Sequence, residues 1–207
     1  SMFGIIDLAS IPKDRYYLYR SVWNKEAETL HILPHWNWEG REGEKTPVFV
    51  YTNYPSAELF INGKSYGRQT KHKNGTVENR YRLMWHDAVY QPGEVRVVAY
   101  DEQGNPVAEK TVRTAGKPHH IELVTDRSSL QADGKDLAYV RVILTDENGN
   151  RLTHEEREIH VNVTGAGTFL AVGSGNPCTE DQITAKECHL YRGTAIVILK
   201  SKEAGET

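Results

Sequence analysis

The sequence predicts a mainly β protein, with two tandem immunoglobulin-like β-sandwiches that follow a short strand–helix unit. Two observations favour this fold. From Glu28 onward, short runs of alternating apolar and polar residues are separated by turn-forming stretches such as NGK, QPGE and DENGN, a pattern typical of antiparallel strands. Before Glu28, apolar residues recur instead at spacings of three and four, which is typical of a helix.

The strand–helix unit is predicted over residues 1–27. The run Phe3–Ile6 is almost wholly apolar, which predicts a strand buried on both faces, as in a parallel sheet. A helix is expected over Lys13–Trp23, because Pro12 suits the first helical position and the carboxylate of Asp14 suits the first turn. One strand cannot cover the apolar face of this helix. The unit is therefore predicted to be a fragment of a larger βα fold.

The first sandwich is predicted over residues 28–116, with seven strands in about ninety residues. Its clearest hairpin is AELFINGKSYGRQ. Leu59 and Ile61 are expected to face inward because side chains alternate along a strand. Asn62 and Gly63 provide the positive φ angles that a tight turn needs.

The second sandwich is predicted over residues 117–207, with five or six strands and a long loop that carries both cysteines. An immunoglobulin sandwich closes its second sheet with a final strand that pairs along the preceding one. That closing strand is expected to be missing after GTAIVILKS. Gly193–Lys200 is therefore predicted to lack a partner on one side, and such an edge can recruit strands from other chains into a homo-oligomer.

Composition excludes several classes of partner. The chain has 207 residues, 26% of them charged, and a formal net charge of −3. Lys and Arg are scattered among Asp and Glu, so no basic face for nucleic acid is expected. The apolar runs are far shorter than the roughly 20 residues that cross a bilayer, so no membrane partner is expected either.

The cysteines and histidines do not have the spacing of a metal site, so no metal and no cofactor are predicted. Cys178 and Cys188 lie in GNPCTEDQITAKECH. A disulfide between them would close this polar loop in an exported protein, and two free thiols are the alternative.

The stretch LPHWNWEG brings His35, Trp36 and Trp38 together directly after a proline. Two interpretations of these aromatic residues remain open. They pack the seam where the strand–helix unit meets the first sandwich, or they offer flat faces on which a sugar stacks.

Three stretches occur together and in order: GIIDLASIPKDRYYLY, LPHWNWEG and AELFINGKSYG. They resemble the C-terminal region of bacterial glycoside hydrolase family 2 enzymes of the β-galactosidase type. The resemblance covers nearly the whole chain and implies the eighth strand and helix of a (β/α)₈ barrel, followed by two accessory β-sandwiches. The sequence departs from the family at Ser10, where glycine is frequent, and in the cysteine-bearing loop.

The resemblance implies a retaining glycosidase, which uses two carboxylates about 5 Å apart. In the family both are glutamates on earlier barrel strands, upstream of Phe3. None of the glutamates that follow the helix matches a catalytic motif: Glu26, Glu28, Glu39, Glu42 and Glu44. No catalytic residue is therefore predicted, and this chain alone is expected to be inactive. Asp7, at the end of the barrel strand, is a candidate for the substrate rim, and a loop hydrogen bond is its alternative role.

Two functions follow. The chain is a non-catalytic accessory segment of a β-galactosidase-like enzyme that packs on the catalytic barrel of the same parent chain and shapes the rim for its carbohydrate substrate. Alternatively, it is a carbohydrate-binding or adhesion-like tandem immunoglobulin module. The strand–helix unit favours the first. The resemblance also implies a bacterial periplasmic or secreted protein.

Overall fold

The structure is a computed structural model that describes residues 3–206. It is mainly β and divides into two compact units. One unit is Pro12–Ala115, and the other is Gly116 onward together with the N-terminal segment up to Ile11. This division differs from the predicted one, because the predicted strand–helix unit is shared between the two units.

The N-terminal segment does not form the predicted strand. Phe3–Ile6 forms a turn, a bend and, at Ile6, an isolated β-bridge residue rather than a strand, and Phe3 is exposed. A buried strand of a parallel sheet takes hydrogen bonds from neighbours on both sides, and residues 3–206 contain no such pair of neighbours for this segment. The apolar side chains of this run favour burial, but no neighbouring strands within residues 3–206 bury them.

The predicted helix is present as α1, Asp14–Trp23. It contacts the first sandwich through Tyr17, whose ring stacks on His31 with centroids 3.9 Å apart. Asp14 Oδ1 lies 2.8 Å from Nε2 of the same histidine. The first turn of the helix is therefore fixed to a strand of the first sandwich.

The first sandwich has seven strands within the described residues, as predicted. A three-stranded antiparallel sheet has the order β1-β2-β5 and packs opposite a four-stranded antiparallel sheet of order β4-β3-β6-β7. A short helix, α2 (Val77–Tyr81), precedes β5. The strands are β1 Leu30–Leu33, β2 Val48–Thr52, β3 Ser56–Ile61, β4 Lys64–Thr70, β5 Leu83–Trp85, β6 Glu94–Tyr100 and β7 Pro106–Arg113.

The core of this sandwich follows from strand alternation. Leu59 and Ile61 on β3 are buried, as the sequence predicts. Asn62 and Gly63 have φ angles of 49° and 80° and form the turn into β4. The core is one cluster that includes apolar side chains from both sheets, and Val48 on β2 lies at its centre with no exposed surface.

The second sandwich has a four-stranded antiparallel sheet of order β11-β13-β9-β8 and a two-stranded sheet, β10-β12. Its first three strands are β8 His120–Thr125, β9 Leu137–Thr145 and β10 Glu158–His160. The remaining three are β11 Gly167–Gly173, β12 Glu187–His189 and β13 Thr194–Ser201.

The predicted open edge at Gly193–Lys200 is wrong. β13 pairs antiparallel with β11 on one side and with β9 on the other. The edges of the sheet are β8 and β11 instead. The order β8-β9-β13-β11 matches the A-B-E-D sheet of an immunoglobulin constant-type sandwich. In that sheet, the strand that comes last in the sequence is internal.

One face of β8 is incompletely covered in the part of the chain that the structure describes. Ile121 and Leu123 are 49% and 65% exposed, although their cross-strand partners Leu144 and Val142 are buried. The opposing β10-β12 sheet consists of two strands of three residues. So small a sheet does not extend over β8.

Candidate functional site

Asp7, the candidate for the substrate rim, closes its own loop. Its Oδ1 accepts hydrogen bonds of 2.9 Å from the backbone N–H groups of Ala9 and Ile11. Ser10 in this loop has a φ angle of 59°, a conformation that glycine adopts at less cost. A Cβ atom added to Gly175 would lie 2.1 Å from Asp7 Oδ2. Gly175 therefore allows its loop to approach the carboxylate.

Trp36 lies inside the first sandwich. Its side chain is 1% exposed and packs edge-to-face on Tyr90, with ring centroids 5.2 Å apart. Its Nε1 donates a 2.9 Å hydrogen bond to the carbonyl oxygen of Gln91. No ring face is left on which a sugar could stack, so the sugar-stacking interpretation is wrong for Trp36 in this structure. The seam with a barrel stays a prediction.

Trp38 is only partly buried. The ring of His35 stacks on its indole with centroids 4.3 Å apart, and the guanidinium of Arg41 lies 5.2 Å from the ring centroid. The Nε1 atom of Trp38 is buried and has no hydrogen-bond partner within residues 3–206. His35 and Trp38 therefore stay together as the aromatic pair of the motif, whereas Trp36 belongs to the core.

The residue between the two tryptophans fixes the end of the first sandwich. Asn37 is buried, and its Oδ1 accepts a 2.6 Å hydrogen bond from the backbone N–H of Ala115. The hydroxyl of Thr114 donates a 2.6 Å bond to the carbonyl oxygen of Trp36. LPHWNWEG is thus a structural motif that holds the segment following β7.

Comparison with known proteins assigns the chain to a family. Residues 121–207 match the family described as glycoside hydrolase family 2 C-terminal domain 5, and residues 43–108 match a domain of unknown function. The β-galactosidase BoGH2A of Bacteroides ovatus is 40% identical over 97% of this chain, which covers 23% of that protein. The chain belongs to the C-terminal region of glycoside hydrolase family 2.

Two further relatives agree with this family 2 assignment. A β-glycosidase structure from Bacteroides vulgatus superposes with a TM-score of 0.88 at 33% identity, over 98% of this chain and 25% of that one. A putative β-glucuronidase of Formosa agariphila is 34% identical over 85% of this chain and 16% of its own length. The chain thus spans about a quarter or less of these family 2 relatives.

The glutamates of this family 2 segment are arranged as solvated side chains. The five glutamates that follow the helix are exposed: Glu26, Glu28, Glu39, Glu42 and Glu44. Glu44 pairs with Arg41 at 2.7 Å, and Glu28 accepts a 3.2 Å hydrogen bond from the hydroxyl of Tyr54. Neither contact brings two carboxylates together.

The cysteines of the family 2 segment are free thiols in the structure. Cys178 is exposed on the loop, whereas Cys188 is buried on β12. Of the two alternatives that the sequence left open, the structure has the free thiols. Burial and the nearby Asp181 carboxylate raise the pKa of the Cys188 thiol to about 11. Because the thiolate is the reactive form, this raised pKa lowers the reactivity expected of Cys188 at neutral pH.

A cluster of charges that sequence reasoning missed lies on the β10-β12 sheet. Glu158 is opposite His189, and His160 is opposite Glu187. The side chain of Asp181 accepts from the backbone N–H of His189 and lies 3.1 Å from its Nδ1, and this hydrogen bond raises the pKa of His189. Residues 3–206 contain no group of such side chains suited to a metal. The period-two spacing of these residues could have revealed the pairing.

A repeated turn was also missed. DEQGN and DENGN share the pattern DExGN, and each first aspartate accepts hydrogen bonds from the backbone N–H and side-chain amide of the asparagine four residues later. Asp146 in the second turn additionally accepts a 2.7 Å bond from the backbone N–H of Gly116. Burial alone would raise its pKa, but these hydrogen bonds outweigh burial and lower the pKa to about 2.

Neither helix formed by residues 3–206 has the length and apolar character to cross a bilayer.

Proposed function

We propose that this chain is a non-catalytic accessory segment of a family 2 glycosidase that packs on the catalytic barrel and shapes its rim. The observation that carries the proposal is the match of residues 121–207 to a C-terminal domain of the family, within a chain that spans 23% of its β-galactosidase relative. The partners are then the barrel of the same polypeptide and its carbohydrate substrate. The relatives' names point to a β-galactoside or a β-glucuronide.

The chain on its own is expected to hydrolyse no glycoside. Retaining glycosidases need two carboxylates about 5 Å apart, and the candidate glutamates are exposed and separately engaged. The assay is release of nitrophenol from β-galactosides, β-glucosides, β-mannosides and β-glucuronides, compared with buffer. Reproducible turnover that disappears when one glutamate of this chain is changed to Gln would contradict the proposal.

Substitutions of Asp7 test whether this segment contributes to the substrate rim of the parent enzyme. In the full-length parent enzyme, we expect Asp7→Asn to raise KM and to leave the melting temperature nearly unchanged. The amide oxygen can still accept from Ala9 and Ile11, but the charge that would face a substrate hydroxyl is lost. Asp7→Ala is the matched control, because it also removes the two loop hydrogen bonds and should lower the melting temperature. An unchanged KM in Asp7→Asn would restrict Asp7 to closing its loop.

A tandem carbohydrate-binding module is the second candidate, and the His35–Trp38 pair favours it. The two rings are stacked and only partly buried, and Trp is enriched at binding interfaces because one part of its ring is apolar and its N–H is polar. Calorimetric titration with oligosaccharides separates the candidates. Saturable binding that Trp38→Ala abolishes would favour the binding module over the accessory segment.

A further inference from the structure

The outer face of the four-stranded sheet in the second sandwich carries a cavity of about 250 Å³. Side chains of β8, β9 and β13 form its floor, and residues 9–11 line it as well. All of these residues belong to one compact unit. Drug-sized ligands occupy pockets of roughly 300–1,000 Å³, so this cavity suits a smaller ligand, of about the size of one sugar ring.

Arg141 on β9 is the cation of this cavity. The sheet register places it between Val124 on β8 and Ile196 on β13, and both apolar neighbours line the cavity with it. Its Nε atom is buried and has no hydrogen-bond partner within residues 3–206. A buried donor of a charged group that lacks an acceptor is destabilising, so the guanidinium of Arg141 has unmet hydrogen-bonding capacity that a ligand with an acceptor group would meet.

The carboxylates of Asp126 and Glu122 do not neutralise Arg141. Asp126 lines the cavity, but its Oδ1 accepts from the backbone N–H of Tyr139 at 2.8 Å and its Oδ2 accepts from Arg127 Nε at 3.1 Å. Glu122 lies on the same face of β8 as Val124 and is exposed. No salt bridge between Arg141 and either carboxylate is formed in residues 3–206. The charge of Asp126 is already balanced by Arg127.

We propose that this cavity binds a small hydroxylated carboxylate of the uronic acid class, with Arg141 as the residue that holds the carboxylate. The planar guanidinium matches a carboxylate through two parallel N–H···O bonds, and its weak hydration suits a partly buried pair. Ser10 and Tyr139 also line the cavity, and their hydroxyls can donate to or accept from the hydroxyls of a sugar ring. The proposal does not depend on the accessory role argued above.

The test is a calorimetric titration of the 207-residue chain with D-glucuronate and with D-glucose at fixed ionic strength. The two sugars differ only in the carboxylate, so glucuronate is expected to bind at least about tenfold more tightly, the minimum expected for a charge-assisted bidentate pair. Arg141→Gln should weaken glucuronate binding by about tenfold or more. Arg141→Lys keeps the charge but loses the planar pair of N–H donors. Its affinity for glucuronate should therefore fall between those of the unmodified chain and the Arg141→Gln variant.

The matched control is Lys200→Gln. Lys200 lies on the same face of β13 as Ile196 but does not line the cavity. Its substitution by Gln removes one positive charge, as Arg141→Gln does. Its variant should bind glucuronate as the unmodified chain does. If Arg141→Gln fails to fold, weaker binding by Arg141→Lys at an unchanged melting temperature supports the proposal, and unchanged binding overturns it.

Each of the following results would also overturn the proposal: no saturable glucuronate binding by the unmodified chain, equal affinity for glucose, undiminished binding by a folded Arg141→Gln variant, or tighter binding of inorganic phosphate than of glucuronate. A titration with acetate at the same concentration tests whether the hydroxyl groups of the sugar ring contribute to binding. Acetate should bind more weakly than glucuronate, and equal affinity would show that the sugar ring contributes nothing.

Discussion

Trp36→Ala is expected to lower the free energy of unfolding of the first sandwich by about 3–5 kcal/mol, the range for truncating a buried tryptophan. The indole is 1% exposed and packs against Tyr90. Its removal leaves a cavity that a β-sandwich, fixed by two sheets, can fill only in part. The substitution also leaves the carbonyl oxygen of Gln91 without its 2.9 Å hydrogen bond, which adds to the loss.

Urea unfolding followed by far-ultraviolet circular dichroism measures this effect without depending on tryptophan fluorescence. The matched control is Trp23→Ala, because Trp23 is 72% exposed at the end of α1. Substitutions at such surface positions change stability by about 0.5 kcal/mol. Equal losses in the two variants would show that Trp36 is not a core residue in solution.

The strands of the first sandwich were predictable because each depends on local alternation. Leu59 and Ile61 are buried, and the Asn62–Gly63 turn has the expected positive φ angles. Alternation fails for Trp36 and Trp38, which are also two residues apart. β1 ends at Leu33, so these residues lie in a loop where spacing does not fix direction, and one is buried while the other is partly exposed.

The position of a strand within its sheet was not predictable, because pairing joins residues that are distant in sequence. The register of β13 pairs Thr194 with Ile143 and Thr168 with Lys200. Its neighbours β9 and β11 lie on either side of it in space, although both precede it in the chain. Phe3–Ile6 illustrates the same dependence, since an apolar run becomes a buried strand only beside strands that other segments provide.

The candidate site was predictable in residue type but not in geometry. Asp7 was identified from its place after an apolar run, and the structure adds the two backbone hydrogen bonds that engage its Oδ1. Arg141 was missed because an arginine in an alternating strand resembles an ordinary solvated position. Only the flanking Val124 and Ile196, which come from two other strands, reveal that its Nε is buried.

Asp146 of the second DExGN turn contributes to the stability of the second sandwich. Its carboxylate accepts from the backbone N–H groups of Gly116, Asn148 and Asn150. The equivalent Asp101 turn has no bond from a distant segment comparable to that from Gly116 in the described residues. Asp146 is 3% exposed, so its loss leaves several backbone donors of the second sandwich unpaired.

Asp146→Ala is therefore expected to destabilise the second sandwich by about 3 kcal/mol, as hydrogen bonds to buried charged groups contribute about 1.5–3 kcal/mol. Asp101→Ala in the first sandwich is the matched control and should cost less. Urea unfolding at pH 7 measures both. Equal losses would mean that the bond to Gly116 contributes nothing.

The same carboxylate predicts how stability depends on pH. The pKa of Asp146 is lowered to about 2 in the folded chain, below about 3.9 in an unfolded one. Its contribution of about 2.5 kcal/mol is fully present above pH 4 and is lost as the pH falls towards 2, because the unfolded chain then binds a proton that the folded chain resists. Unfolding free energies measured from pH 5 to pH 2 should therefore fall more steeply for the unmodified chain than for Asp146→Asn, whose amide does not titrate. Parallel pH profiles for the two proteins would show that Asp146 is not held ionised by the fold.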